Sequence, residues 1–252
     1  MAVVTLTTDF GLRDYYVGAL KGEIISENPG IQLIDISHLI APFDIVEAAY
    51  TLRNTFPAYP RGSFHVVYVK NHLPDQTFLF FEHQYQYFIL PNNGIYSLIF
   101  GELSTDIRAI PLREDRTPFQ GIARLIRDIR LGADVRSLYP MAEGVVSKIP
   151  LQPIVHRDQI RAAILHIDRY GNAVINLQRS LFESVRKNRP FKIYFKNTNP
   201  ITRIAKSYAD GNIGEPIALF NMQGYLVIAT IMGNAAEELD LKKDESIQIV
   251  FG

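Results

Sequence analysis

Two hydrophobic rhythms divide this chain. Up to about Tyr139, short β-rich runs alternate with segments whose apolar residues recur at helical spacing. Ala2 to Thr7 reads as a strand stopping just short of Asp9. Tyr15 to Ser26 reads as a helix, with Asp14 as its N-cap and Pro29-Gly30 as its stop. Ile31 to Ile36 is a second strand, and Pro42 to Thr55 a second helix with Ile45, Ala48, Ala49 and Leu52 on one face. Ser63 to Val69 is a third strand, and Phe78 to Phe81 with Tyr85 to Leu90 pattern as a hairpin. Gly94 to Phe100 is a short helix, Ile107 to Pro111 a further strand, and Gly121 to Leu131 a strongly amphipathic helix. This βαβα succession predicts a mostly parallel sheet covered by helices, because parallel neighbours need a crossover that packs back on the sheet.

Beyond Tyr139 the rhythm changes. Pro140, Gly144, Pro150 and Pro153 punctuate a connecting segment. Short strand patterns follow at Gln159 to Asp168, Ala173 to Asn176, Phe191 to Phe195, Pro216 to Asn221, Tyr225 to Ile231 and Ser246 to Phe251. Turn signals separate them, among them Tyr170-Gly171-Asn172, Asp210-Gly211-Asn212 and Gln223-Gly224. The expectation is an α/β N-terminal domain over residues 1–150 and an all-β, barrel-like C-terminal domain over residues 151–252. No internal repeat or low-complexity tract interrupts this division.

Composition narrows the functional classes. The chain has 252 residues, 47% hydrophobic and 21% charged, as in an ordinary globular protein. Its 26 basic and 26 acidic side chains cancel, so it lacks the basic excess of a nucleic-acid binder. The basic run from Arg124 to Arg130 alternates with apolar residues and reads as the wet face of a helix. With no cysteine, neither a disulfide framework nor a thiolate metal site is available, and no metal site is expected. No apolar run is long enough to span a bilayer, and no charged-then-apolar leader precedes the first strand, so a cytoplasmic protein is expected.

Candidate chemistry begins at Asp9. It follows the first strand, where ligands of open α/β sheets bind, and a carboxylate there can accept both hydrogen bonds of a ribose diol. The alternative is a simple turn cap. A protein-kinase reading of Asp9-Phe10-Gly11 fails, since no nucleotide-binding lobe fits upstream. The segment Thr5-Leu6-Thr7-Thr8-Asp9-Phe10-Gly11, then Asp168-Arg169-Tyr170-Gly171-Asn172, then Gly233-Asn234-Ala235-Ala236, resembles the S-adenosylmethionine hydroxide adenosyltransferases, a family that includes fluorinases and chlorinases. Asp35-Ile36-Ser37-His38 and Pro91-Asn92-Asn93-Gly94 extend the likeness. His38 reads better as a histidine bonded within a loop than as a ligand contact. Asn92, where the family has Asp, serves a tight turn as well as it would a ligand.

The resemblance implies a homotrimer with each nucleoside site between the N-terminal domain of one subunit and the C-terminal domain of the next. It implies that Asp168, Tyr170 and Asn172 line the methionine and ribose side, and that Asn221, Asn234 and Ala235 form the adenine-binding edge. A β-turn between strands explains Tyr170-Gly171-Asn172 equally well. The family reaction is displacement at ribose C5′, in which water releases adenosine and methionine leaves. S-adenosylmethionine is then a substrate or ligand, and no separate cofactor is expected.

The resemblance also implies a loss. Family hydrolases carry an Asp, an Arg and a His that orient and activate water, and these fall here on Lys70, Thr77 and Gln120. A Lys70 ammonium about 5 Å from a sulfonium would cost roughly 3 kcal/mol at an effective dielectric of about 20, and would suit a neutral or anionic ligand better. The substituted loop does contain His72 and Asp75, which could form a relocated general base; two exposed loop residues are the alternative. Three functions follow: a binder of S-adenosylmethionine or an adenosine-type ligand with weak or no hydrolysis, an active adenosyltransferase with relocated groups, or a structural or regulatory protein with a vestigial pocket.

Overall fold

The structure is a computed structural model and describes residues 2–70, 77–101, 106–110, 117–196 and 199–252. The chain divides into two compact units, residues 1–150 and 151–252.

In the first unit, β1 (Val3–Thr8), α1 (Tyr16–Glu27), β2 (Gln32–Ser37), α2 (Ile45–Thr55), β3 (Phe64–Tyr68), β4 (Phe78–His83), β5 (Gln86–Pro91), α3 (Ile95–Phe100), β6 (Arg108–Ile110), α4 (Pro118–Arg130) and α5 (Val135–Leu138) follow one another. The six strands form one sheet in the order β2-β1-β3-β5-β4-β6. Alternate residues face opposite layers. Val4, Leu6, Phe64, Val66, Phe78 and Phe80 pack towards α1 and α4, whereas Val67, Val69, Leu79 and Phe81 pack towards α2 and α3. Both faces are buried, as expected of parallel strands covered by helices.

The sheet is mixed: three of its five strand pairings are parallel, as expected, and the hairpin expected between Phe78 and Leu90 supplies an antiparallel pair. Strands β2, β1, β3 and β5 are parallel, but β4 runs antiparallel to β5 and β6 antiparallel to β4. The two-residue turn Gln84-Tyr85 explains the reversal. Both residues adopt positive φ (51° and 62°), the twist that matches a tight hairpin.

Local chemistry sets the helix ends. The Asp44 side chain accepts from the main-chain N–H groups of Val46 and Glu47 and starts α2. Thr117 and Gln120 form a reciprocal capping box at α4, with Pro118 in its first turn, so the helix begins three residues before the apolar pattern alone predicted. The expected cap at Asp14 is not used: α1 starts after Tyr15, without a side-chain cap bond. Buried Asn28 joins α1 to α4, donating to the Ile24 and Ala123 carbonyls at 3.1 and 2.9 Å.

In the second unit, β7 (Ile154–His156), β8 (Gln159–Ile167), β9 (Ala173–Gln178), α6 (Arg179–Arg186), β10 (Phe191–Tyr194), β11 (Pro216–Phe220), β12 (Tyr225–Thr230), α7 (Ala235–Glu238) and β13 (Ser246–Phe251) follow. An antiparallel sheet runs in the order β10-β13-β8-β9-β12-β11, with β7 on β8. It curls around one core that includes Ile160, Ile175, Phe182, Ile193, Leu226 and Ile249. The half-barrel's edges are β10 and β11. Single bridges from Ile201 to Ile193 and from Ile204 to Ala218 span them. The unit is not all-β: α6 buries Phe182 against that core, so its apolar residues serve as a plug rather than a strand.

Candidate functional site

Asp9 follows β1 at the carboxyl end of the parallel strands, as its position in the sequence requires. Its Oδ2 accepts main-chain hydrogen bonds from Phe43 (2.9 Å) and Lys70 (3.1 Å). Both donors are non-glycine residues in the left-handed region, with φ of 67° and 54°. That backbone is costly for a side chain such as phenylalanine and is kept only where the surroundings enforce it. Among the described residues, Oδ1 makes no hydrogen bond. The carboxylate is thus held by one oxygen and free to accept with the other.

Beside it lies an aromatic wall that the sequence reading did not single out. Phe10 stands 5.5 Å from Tyr16, 5.0 Å from Tyr68 and 5.9 Å from Phe119, centroid to centroid. Tyr16 is partly exposed and Phe10 and Phe119 half-buried, so the wall is open to a flat partner. The only sequence signal for it was the adjacency of Phe10 to Asp9; the others come from three different elements.

A chain of polar contacts backs this loop. Lys21 Nζ donates to Asp35 Oδ2 at 2.7 Å, His38 Nε2 lies 3.0 Å from Asp35 Oδ1, and His38 Nδ1 lies 2.9 Å from Thr8 Oγ1. Burial alone would raise the Asp35 carboxyl, but its bonds to Lys21 and His38 outweigh that and hold it below the usual carboxylate range.

Of the three positions where family hydrolases carry Asp, Arg and His, Gln120 has a side-chain role of its own, while Lys70 and Thr77 make the main-chain contacts that follow. The Lys70 main-chain N–H is spent on Asp9. The Thr77 carbonyl accepts from Asn92 N–H at 2.8 Å. Gln120 accepts from Thr117 N–H through Oε1 at 3.2 Å and donates through Nε2 to Glu23 at 3.2 Å. Its amide is therefore committed to starting α4. His72 and Asp75 lie outside the described residues.

The Asn92-Asn93-Gly94 turn is structural. Asn92 clasps the connecting segment, donating to the Gly144 carbonyl and accepting from Val146 N–H. Asn93 is buried and donates to the Val69 carbonyl at 2.9 Å. Gly94 is required, since it has φ +94° and a Cβ there would meet Lys148 Cγ at 2.5 Å.

In the second unit, Asp168 organises its own loop. Its Oδ1 accepts from the N–H groups of Tyr170 and Asn172 at 2.8 and 2.9 Å, and Oδ2 accepts from Asn172 Nδ2 at 2.8 Å. The loop lies against Asn234, which caps α7 by accepting from Glu237 N–H. A Cβ on Gly171 would come within 1.7 Å of Asn234 Oδ1, and the Gly171 carbonyl accepts from Ala236 N–H at 2.8 Å. Asp168, Tyr170, Asn172, Asn234 and Ala235 therefore share one end of the sheet. Tyr170 is 77% exposed and presents a ring face, while Ala235 is buried and offers only main-chain groups.

Asn221 lies elsewhere. It sits in the β11–β12 turn, accepting from Gln223 and Tyr225 N–H groups. The register pairs Tyr225 with Gln178 and Ile228 with Ala173, which puts that turn at the other end of β12 from the Asp168–Asn172 loop. Tyr208, absent from the sequence prediction, does stand near Asp168: burial and then the Asp168 charge raise its phenol above the usual tyrosine range. It sits between strands, where no periodicity marks it.

A cavity of about 380 Å³ opens elsewhere in this unit, between Phe195, Ile201, Arg203, Glu215 and Ile217, and no candidate ligand residue lines it. Among the described residues, no cluster of three His, Asp or Glu side chains could hold a metal ion, and no helix is long and apolar enough to cross a membrane.

A mixed α/β sheet with a carboxylate at its strand ends, followed by a curled antiparallel unit with its own polar loop cluster, defines a two-part class. Residues 4–129 match the S-adenosylmethionine hydroxide adenosyltransferase N-terminal domain and residues 162–248 the C-terminal domain, so the chain belongs to that family. Among its relatives is the (R)-S-adenosyl-L-methionine hydrolase of Methanocaldococcus jannaschii, 29% identical and covering 99% of this chain and 96% of the relative. The Thermus thermophilus protein of the same name is 24% identical over 99% of this chain and 100% of its own. A fluorinase of Actinopolyspora mzabensis is 23% identical over 98% of this chain and 96% of its own. An uncharacterized conserved protein from Thermotoga maritima shares the fold, with a TM-score of 0.85 at 22% identity, over 99% of this chain and 100% of that one.

Proposed function

We propose that this protein binds S-adenosylmethionine or another adenosine-type ligand and hydrolyses it weakly or not at all. The observation that carries the reading is Asp9, held through Oδ2 by two strained main-chain donors, with Oδ1 unbonded among the described residues. Such a carboxylate is prepared to take a ribose diol without the cost of ordering itself on binding. The wall of Phe10, Tyr16 and Phe119 would pack beside the nucleoside. Asp168, Tyr170, Asn172, Asn234 and Ala235 would supply the remaining contacts, with Tyr208 added to the set the sequence suggested. The trimer implied by the family resemblance belongs to the same proposal and is tested by sedimentation.

Loss of hydrolysis is argued from Gln120. In-line attack needs a positioned and activated water. The side chain at the family's histidine position is engaged in the α4 capping box, and lysine and threonine occupy the other two positions. Incubation with S-adenosylmethionine, followed by chromatography, should return intact ligand, while calorimetry should register saturable binding.

The names of the relatives favour a second reading, an active enzyme with relocated groups such as His72 and Asp75. Adenosine and methionine accumulating with time, and no longer doing so in His72→Ala or Asp75→Ala, would support it. Absence of any binding would leave a structural or regulatory role.

A further inference from the structure

We infer that His38 is a positioning residue for Asp9, acting through Thr8. The inference rests on the reading of Asp9 as the ribose-diol acceptor. His38 is 3% exposed, and each ring nitrogen faces a different polar side chain. Nε2 lies 3.0 Å from Asp35 Oδ1 without hydrogen-bond alignment, and because a carboxylate repels a bare ring lone pair at that distance, the proton belongs on Nε2. Nδ1 is then an acceptor and takes the Thr8 hydroxyl proton across 2.9 Å. The Thr8 oxygen, so oriented, accepts from Phe10 N–H at 3.3 Å. The His38 carbonyl accepts from Gly11 N–H at 2.7 Å, and Asp9 N–H reaches the Tyr68 carbonyl at 3.4 Å. Every residue from Thr8 to Gly11 is tied: two of the four ties end on His38, and a third, from Phe10, ends on the Thr8 hydroxyl that His38 orients. On the far side, Phe43 and Lys70 hold the Asp9 carboxylate itself.

A second buried threonine–histidine pair on the same strand provides a contrast. Thr5 Oγ1 lies 2.8 Å from His65 Nδ1, and His65 Nε2 lies 2.8 Å from Gln86 Oε1. That chain ends on the carbonyl of half-buried Tyr59 and meets no charged side chain. The His38 chain ends instead on the Lys21–Asp35 ion pair at one side and on the Asp9 loop at the other. A fixed, charge-terminated chain behind a ligand group orients that group, as outer-shell partners do at other polar sites.

The test measures calorimetric affinity for adenosine and for 2′-deoxyadenosine, which lacks half the diol. Losing a hydrogen bond to a charged group should cost about tenfold or more in the unsubstituted protein. His38→Gln can still reach Asp35 but not Thr8, and should narrow the adenosine preference at least threefold. His38→Asn, whose amide falls near the Nδ1 position, should restore most of it. In an Asp9→Asn background, His38→Gln should change the preference no further. His65→Gln should lower stability and leave the preference intact. If His38→Gln fails to fold, Asp35→Asn, at a half-exposed position, should also narrow the preference. A preference that survives His38→Gln or Asp35→Asn but collapses in Asp9→Asn overturns the inference and leaves the Asp9 reading standing. A preference unmoved by Asp9→Asn, or no binding at all, overturns both.

Discussion

Acidification from pH 7 to pH 4.5 should destabilise the N-terminal unit through His65. This imidazole is fully buried between β1 and β5, stacked on Phe88 at 4.8 Å and edged by Phe56 and Tyr59. Desolvation dominates and pulls its pKa from 6.5 to about 4, against a smaller upward pull from Gln86. Between these values the unfolded chain binds a proton that the folded chain refuses. Stability is therefore complete above about pH 6.5 and falls as pH drops towards 4. At about 1.36 kcal/mol for each tenfold change in proton affinity, the full loss is about 3 kcal/mol. Between pH 7 and pH 4.5 the same relation gives about 2 kcal/mol. The assay is urea unfolding at both pH values, comparing the unsubstituted protein with His65→Gln. The variant should be less stable at pH 7, because Thr5 and Gln86 lose a shaped partner. Its further loss on acidification should be smaller by about 2 kcal/mol, since the remaining histidines and carboxylates titrate in both proteins. Parallel losses in the two proteins would refute the reasoning.

Other outcomes follow from the same geometry. Gly171→Ala places a Cβ against Asn234 at φ +80° and should cost about 2 kcal/mol or more, from left-handed strain plus a broken α7 cap, read as a lowered unfolding midpoint with weakened adenosine binding. Thr117→Ala should cost about 1 kcal/mol by opening the α4 capping box, measured by urea denaturation. The combined Lys70→Asp, Thr77→Arg and Gln120→His protein should release adenosine and methionine from S-adenosylmethionine faster than the unsubstituted protein in a chromatographic time course. Aspartate tolerates the left-handed backbone at residue 70 better than lysine, which favours folding of that variant.

Where hydrophobic periodicity and caps agreed, elements were legible from the chain: β13 spans Ser246–Phe251 as its pattern predicts, and α2 ends at Thr55. The start of α4 was hidden because Pro118-Phe119-Gln120 has no apolar repeat, and only the Thr117–Gln120 reciprocity marks it. The β4–β5 hairpin was legible from its two strand patterns, although the Gln84-Tyr85 turn residues are not those that usually favour positive φ. Helix α6 was missed because Phe182 anchors eight residues to a core supplied mainly by distant strands. At the candidate site, Asp9 could be placed by strand-end logic alone. Its donors could not, since Phe43 and Lys70 meet it across 34 and 61 residues of sequence. The closeness of Asp168 to Asn172 was readable from spacing, but their contact with the Asn234 cap depends on how β9 and β12 pair. Asn221 shows the converse, a residue near Asn234 in the sequence that the register carries to the opposite end of β12.

The central claim is that this chain holds an adenosine-type ligand through Asp9. The most direct measurement is isothermal titration of adenosine and of S-adenosylmethionine into the unsubstituted protein and into Asp9→Asn, with the recovered S-adenosylmethionine checked by chromatography. The account predicts saturable binding of at least one of them, about tenfold or more weaker in Asp9→Asn, with S-adenosylmethionine recovered intact. Equal affinity in the two proteins, or no heat in either, would contradict it.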